Sequence, residues 1–199
     1  AWRGSVTVFL AMERGRSLRK SPERTIILSG QTESQRVIHE IPPVYDEHSR
    51  ILILGSFPSV KSREGHFFYN HPQNRLWKVL AVLFGDCRCE KNTCEGTVPS
   101  AIEEKKQFLL DHGIAMWDVI ASCEIIGSSD SSIRNAVPND LTEILGRATI
   151  EIIVCNGGTS YRLYETYLRE QTGMEAVKLP STRPANAAFS LERLVKAWS

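Results

Sequence analysis

No stretch of this 199-residue chain is apolar for long enough to span a bilayer. The apolar run at residues 6–12 meets Glu13 directly, with no small-residue cleavage site behind it, so no export signal is expected. Neither GxGxxG nor a P-loop occurs, which removes the usual means of holding a pyrophosphate and argues against a nucleotide-binding enzyme. An excess of either charge is also lacking: 24 Lys and Arg stand against 23 Asp and Glu, for a net charge of +1. The chain is therefore no polycation, and any nucleic-acid binding has to come from a local basic patch. Internal repeats and low-complexity tracts are absent. Cysteine is sparse and odd in number, at five. Cys87, Cys89 and Cys94 have neither the CxxC pair nor the nearby histidine that structural zinc wants. Reduced thiols in a cytoplasmic setting, with no metal or other cofactor, are the expectation.

What is present is a globular composition, 42% hydrophobic and 24% charged, in a chain long enough to bury a core. Residues 50–84 organise it. They open with ILIL at 51–54, closed by Gly55, which reads as a short buried strand. A loop crowded with polar and aromatic side chains follows, and then Leu76, Trp77, Leu80, Leu83 and Phe84 recur at helical spacing. Strand, glycine, polar loop and helix is how an open α/β sheet presents chemistry at the carboxyl end of a strand.

Further strands are predicted at 114–121, 150–155 and 176–179. Helices are predicted at 101–112, 138–145, 160–171 and 191–198, the last with Ser190 as N-cap. This alternation predicts one three-layer α/β/α sandwich around a central four-stranded, mostly parallel sheet. Residues 1–40 differ. Arg3, Arg14, Arg16, Arg19, Lys20, Arg24 and Arg36 occur there without sustained periodicity. They are expected to be a basic N-terminal extension, flexible or a gene-calling artefact; a basic arm lying on a DNA backbone is the functional alternative. Residues 41–199 are expected to form the folded domain.

The motifs GSFPSVKSREG (55–65) and FYNHPQNRLWKVLA (68–81) resemble those of the hypoxanthine-DNA glycosylases, or DNA-deoxyinosine glycosylases, a branch of the uracil-DNA glycosylase superfamily. The resemblance continues through WDVIASCEIIGSSDSSIRN (117–135), VCNG (154–157) and LPSTRPANAAFSLERL (179–194). It implies a uracil-DNA glycosylase-like catalytic domain over 41–199 and a monofunctional DNA repair hydrolase. Such an enzyme would be a monomer acting on double-stranded DNA that contains a deaminated base. The base would be flipped out of the duplex and its N-glycosidic bond attacked by water. No lysine falls where a Schiff-base nucleophile would be expected, so strand cleavage is not. A glycosylase for uracil or several deaminated bases is the rival within the class. A catalytically silent lesion-DNA-binding module of the same fold is the rival outside it.

The resemblance puts the functional amide of HPQNR on Asn74, as catalytic residue. Its oxygen would orient water and its nitrogen would hold a base carbonyl, with helix capping as the plain alternative. Phe57 stands where the superfamily often has a carboxylate or amide, which shifts the polar task to Asn74. Gly55, Ser56 and Phe57 would line the base pocket. Phe68 is the expected stacking ring, with core packing as the alternative. Asn156 would read a carbonyl and the adjacent ring N–H, the edge hypoxanthine presents where adenine presents an amine; otherwise it is a turn residue. Pro58, Ser59, Lys61, His71, Ser181 and Thr182 would meet the DNA backbone. Arg183 stands where the family usually has a small polar residue and would enter the gap left by the base, or lie on the surface. Leu179 stands where other branches often have histidine, so the leaving purine would take its proton on its own ring. Asp118 is either a general acid or base or a turn residue.

Overall fold

The computed structural model describes residues 33–90 and 93–199. The expectation for residues 1–32 lies outside the described residues. In chain order the elements are β1 (Gln35–Ile38), β2 (Ile51–Gly55), α1 (Val60–Glu64), α2 (Leu76–Leu83), β3 (Cys87–Glu90), β4 (Thr93–Gly96), α3 (Ile102–Asp111), β5 (Ile114–Asp118) and β6 (Ile120–Ile125). They continue with a 3₁₀ turn (Asp130–Ser132), β7 (Arg134–Pro138), α4 (Thr142–Arg147), β8 (Ile152–Asn156), α5 (Gly158–Tyr167), α6 (Arg169–Thr172), β9 (Ala176–Leu179) and α7 (Leu191–Trp198). Among the described residues no helix is long and apolar enough to cross a membrane.

The central sheet runs β5-β2-β8-β9, parallel throughout. Alternation along β2 sends Leu52 and Leu54 to one face, against Ile153, Cys155, Leu163 and Tyr164. Ile53 goes to the other face, with Phe67, Leu76, Leu80, Leu109 and Met116. Two cores, one per face, are what a parallel sheet covered by helices requires. The three-layer sandwich follows. Because the four strands are parallel, their carboxyl ends at Gly55, Asp118, Asn156 and Leu179 share one edge, where an open α/β sheet places its crevice.

The structure departs from the sequence reading in three places. The run predicted as one strand at 114–121 is divided at Val119. There the backbone N–H groups of Val119 and Ile120 donate to Gly55 and Ser56 carbonyls, and the chain leaves the parallel sheet. Apart from Asp118 the run is apolar throughout, so no periodicity marks the break. Beyond it, β6 pairs with β1 and β7 in a second, antiparallel sheet. The boundary expected at residue 40 therefore shifts, because β1 and His39 belong to the fold. Finally, the connector with three cysteines is a hairpin, β3–β4, with a disulfide between Cys87 and Cys94, whose Cα atoms are 5.9 Å apart. Reduced thiols were expected. Antiparallel pairing brings these two within disulfide reach, which their spacing in the sequence alone does not reveal.

Candidate active site

At the carboxyl edge of the central sheet lies a cavity of about 390 Å³. Its floor begins at Gly55. A side chain there would collide with the Asp118 carboxylate and bring a Cβ within 2.9 Å of the Tyr69 hydroxyl. Glycine at the end of β2 is thus what lets the neighbouring strand place a carboxylate in the pocket. Asp118 is 4% exposed. Its Oδ2 meets His39 Nε2 at 2.9 Å, while the residue also lines the cavity. Tyr69 adopts a left-handed backbone (φ 50°) that turns its hydroxyl inward. That hydroxyl is buried without a well-formed hydrogen bond. Burial, then the nearby Asp118 charge, pushes its pKa well above that of free tyrosine, so it stays a proton donor.

The amide of Asn74 stands at the start of α2. Its Oδ1 accepts from the Leu76 N–H at 3.0 Å and from the Thr182 hydroxyl at 2.9 Å. The backbone donor fixes the amide's orientation, so Nδ2 is the atom left for the cavity. This modifies the sequence expectation, in which the oxygen was to orient water. Thr182 is fully buried. Its N–H donates to Asn156 Oδ1 at 3.0 Å, and its hydroxyl receives Asn156 Nδ2 at 2.9 Å. A relay therefore runs from Asn156 through Thr182 to Asn74, tying the end of β8 and the 180s loop to the start of α2. Two expectations change with it. Thr182 has no hydroxyl free for a phosphate. Asn156 has both amide atoms committed to the loop and keeps one spare N–H rather than a free donor–acceptor pair.

The remaining expected residues fall into place around this relay. Ser56, Phe57, Pro58, Ser59, Lys61, Phe68, His71 and Arg183 all line the cavity with Gly55, Asn74 and Asn156. Ser56 donates to Asp130 Oδ1 at 3.0 Å. Ser59 caps α1, accepting from the Ser62 N–H. Lys61 is an exposed cation paired with Glu64 at 2.7 Å. Phe57 and Phe68 are 7% and 1% exposed. Phe68 packs edge-on against Phe67 and is almost wholly buried, whereas Tyr69 is half-buried, and both rings line the cavity. Arg183 does not project as a wedge. It forms an ion pair with Asp130 and donates to the Ser128 carbonyl at 2.7 Å. Ser181 lies apart from the main cavity, in an adjoining recess of about 360 Å³ with Gly157, Gly158 and Asn186.

Sequence reading missed two residues. Arg75 donates through its guanidinium to the backbone carbonyls of Thr182, Arg183, Asn186 and Phe189, and so shapes the whole loop. Adjacency to Asn74 was its one signal. His39 lay in the stretch set aside as an extension.

Comparison with known proteins follows the same outline. The profile of the family described as the uracil DNA glycosylase superfamily matches residues 42–199. A Methanosarcina acetivorans protein named hypoxanthine DNA glycosylase is 33% identical over 152 residues, 76% of this chain and 90% of that protein. A Methanosarcina barkeri protein of the same name is 30% identical over 159 residues, 79% of this chain and 93% of that one. The solution NMR structure of a candidate uracil DNA glycosylase from M. acetivorans is similar with a TM-score of 0.64 and 32% identity, covering 78% of this chain and 91% of that one.

Proposed function

The chain belongs to the uracil DNA glycosylase superfamily, and from that premise we propose that it is a monofunctional DNA glycosylase releasing hypoxanthine from deoxyinosine-containing DNA. The observation that carries the reading is the convergence of the free Asn74 Nδ2, the Asp118 carboxylate and the Tyr69 ring on one cavity.

The chemistry divides among them. The flipped base enters beside Tyr69, whose ring covers one face and contributes about 1–3 kcal/mol without selecting among bases. Hypoxanthine presents a carbonyl next to a ring N–H. Asp118 Oδ1 accepts from that N–H, and amide N–H groups of Asn74 and Asn156 serve the carbonyl. Adenine offers a lone pair where hypoxanthine has its N–H, and the carboxylate repels it. As the bond from N9 to C1′ breaks, its electrons leave with the purine, which takes up a proton on its ring. Charge develops on the sugar and is met by the DNA phosphates; water adds to C1′ and releases a proton to solvent, which balances the one taken up by the purine. The protein's share is orientation: losing one oriented donor in such a site costs roughly 10²–10³ in rate. Lys61, the lysine at the cavity rim, is exposed and ion-paired, which supports water rather than an amine as nucleophile.

The test is release of free base from a labelled inosine duplex by the whole chain and by Asn74→Ala. A drop of about 10²–10³ in single-turnover rate is expected. Near-wild-type release by Asn74→Ala would remove that residue from the chemistry, and preferential release from a uracil duplex would overturn the substrate.

A further inference from the structure

We propose that His39, at the end of β1 and outside the segment that matches the family, is a positioning residue of the base pocket. It holds the Asp118 carboxylate so that Oδ1 faces the cavity as acceptor for the lactam N–H of the flipped base. The inference rests on the base-release reading above.

His39 has a side chain with no exposed surface. Its ring is boxed by Phe57, Phe68 and Trp117, with centroids 6.0, 6.1 and 6.2 Å away. Its backbone N–H donates to the Ala121 carbonyl at 2.7 Å, so pairing of β1 with β6 sets where the ring enters. In an aromatic box of this kind an apolar ring would pack equally well, and a buried polar one is costly unless bonded. The bond is to Asp118 Oδ2, at 2.9 Å. A carboxylate only accepts, so the proton sits on His39 Nε2. Nδ1 is buried and has no partner among the described residues. This assigns the tautomer, because an orphaned lone pair replaces what would otherwise be an orphaned buried N–H.

The consequence lies at the other oxygen. The terminal torsion of an aspartate is broad and two-fold, so an unanchored carboxylate does not hold one oxygen on a fixed target. His39 takes Oδ2 and leaves Oδ1 on the side of Gly55 and the Tyr69 hydroxyl, at the cavity that Asp118 lines. A ring N–H then meets an acceptor already in position, and a ring lone pair meets a fixed repulsion. His39 touches no substrate. It acts through Asp118, from a strand that belongs to the second sheet.

The experiment compares wild type, His39→Gln, His39→Phe, Asp118→Asn and the double variant His39→Phe/Asp118→Asn in the full chain, by single-turnover base release. His39→Phe is expected to slow release about tenfold or more, the scale of a misplaced group, with apparent KM little changed. His39→Gln, which restores a donor, is expected to recover most of that loss. In the Asp118→Asn background His39→Phe is expected to add less than a factor of about two, since coupled residues are not additive. A wild-type rate in His39→Phe, or losses that multiply in the double variant, would overturn the inference. Uracil release in place of hypoxanthine would sink the substrate reading and not this one, because uracil presents its own lactam N–H to the same oxygen. A second measurement needs no activity. Imidazole ¹⁵N shifts are expected to report the Nε2–H tautomer in wild type and a mixture in Asp118→Asn; a proton on Nδ1 in wild type refutes the pairing.

Discussion

Replacing Thr182 with valine keeps the shape of a fully buried side chain and removes one hydroxyl. That hydroxyl carries two hydrogen bonds, one received from Asn156 Nδ2 and one given to Asn74 Oδ1. A neutral hydrogen bond contributes about 0.5–1.5 kcal/mol net, and a buried donor left unsatisfied costs about 1–3 kcal/mol. Asn156 loses its acceptor, whereas Asn74 Oδ1 keeps the Leu76 N–H. Together these give a destabilisation of about 2–3 kcal/mol, or a Tm lower by about 5–10 °C in a domain of this size. Catalysis suffers separately, because Asn74 loses one of its two anchors; a shift of about 1 Å can cost roughly 10² in rate. Thr182→Ser retains the hydroxyl and should stay close to wild type in rate. Duplex affinity, measured beside Tm, separates this role from the phosphate contact that a loop threonine suggests. A lost phosphate contact would weaken duplex binding and leave Tm unchanged, whereas a lost internal relay lowers Tm. A Thr182→Val variant with wild-type Tm and weaker duplex binding would refute the reasoning.

Gly55→Ala drives a methyl into the Asp118 carboxylate and the Tyr69 hydroxyl; it is expected to lower stability by about 1–3 kcal/mol and abolish base release, checked by thermal melting and the inosine assay. Burial pushes the Cys155 thiol up to about 11, from an ordinary value of 9.0. A raised folded-state pKa means that stability is fully present below about pH 9 and is lost as pH rises through 11. The melting temperature of wild type should therefore fall faster than that of Cys155→Ala across that window, and parallel curves would contradict it. A chain beginning at Gln31 is expected to keep fold and activity, whereas one beginning at Ile41 loses β1 and His39 and is expected to melt lower and release base more slowly.

The sequence carried the central sheet well, because its strands are short apolar runs closed by glycine or turn residues. ILIL ending at Gly55 and AVKL at 176–179 are local patterns, and both strands form where they were read. QRVI at 35–38 was not legible. It is short and mostly exposed, and it is a strand because Gln35–Ile38 pair with residues more than eighty positions away. The same distinction divides the site. Gly55, Ser56, Asn74 and Asn156 stand at element ends that local pattern identifies. The burial of Thr182 depends on a hydroxyl contact across 108 positions, and the restraint of Arg183 on a carboxylate 53 positions off. Hydroxyls and arginines in polar loops usually face solvent, so composition pointed the other way. His39 shows the limit most plainly, since its meaning resides wholly in Asp118, 79 residues later.

Arg75 grips the 182–189 segment by backbone carbonyls alone. Every residue type supplies a carbonyl, so the loop keeps its course whatever side chains it displays at positions such as Pro184, Ala185 and Ala187. Those positions are open ground for directed evolution: they can be randomised to retune which duplexes the enzyme accepts while the scaffold underneath stays untouched.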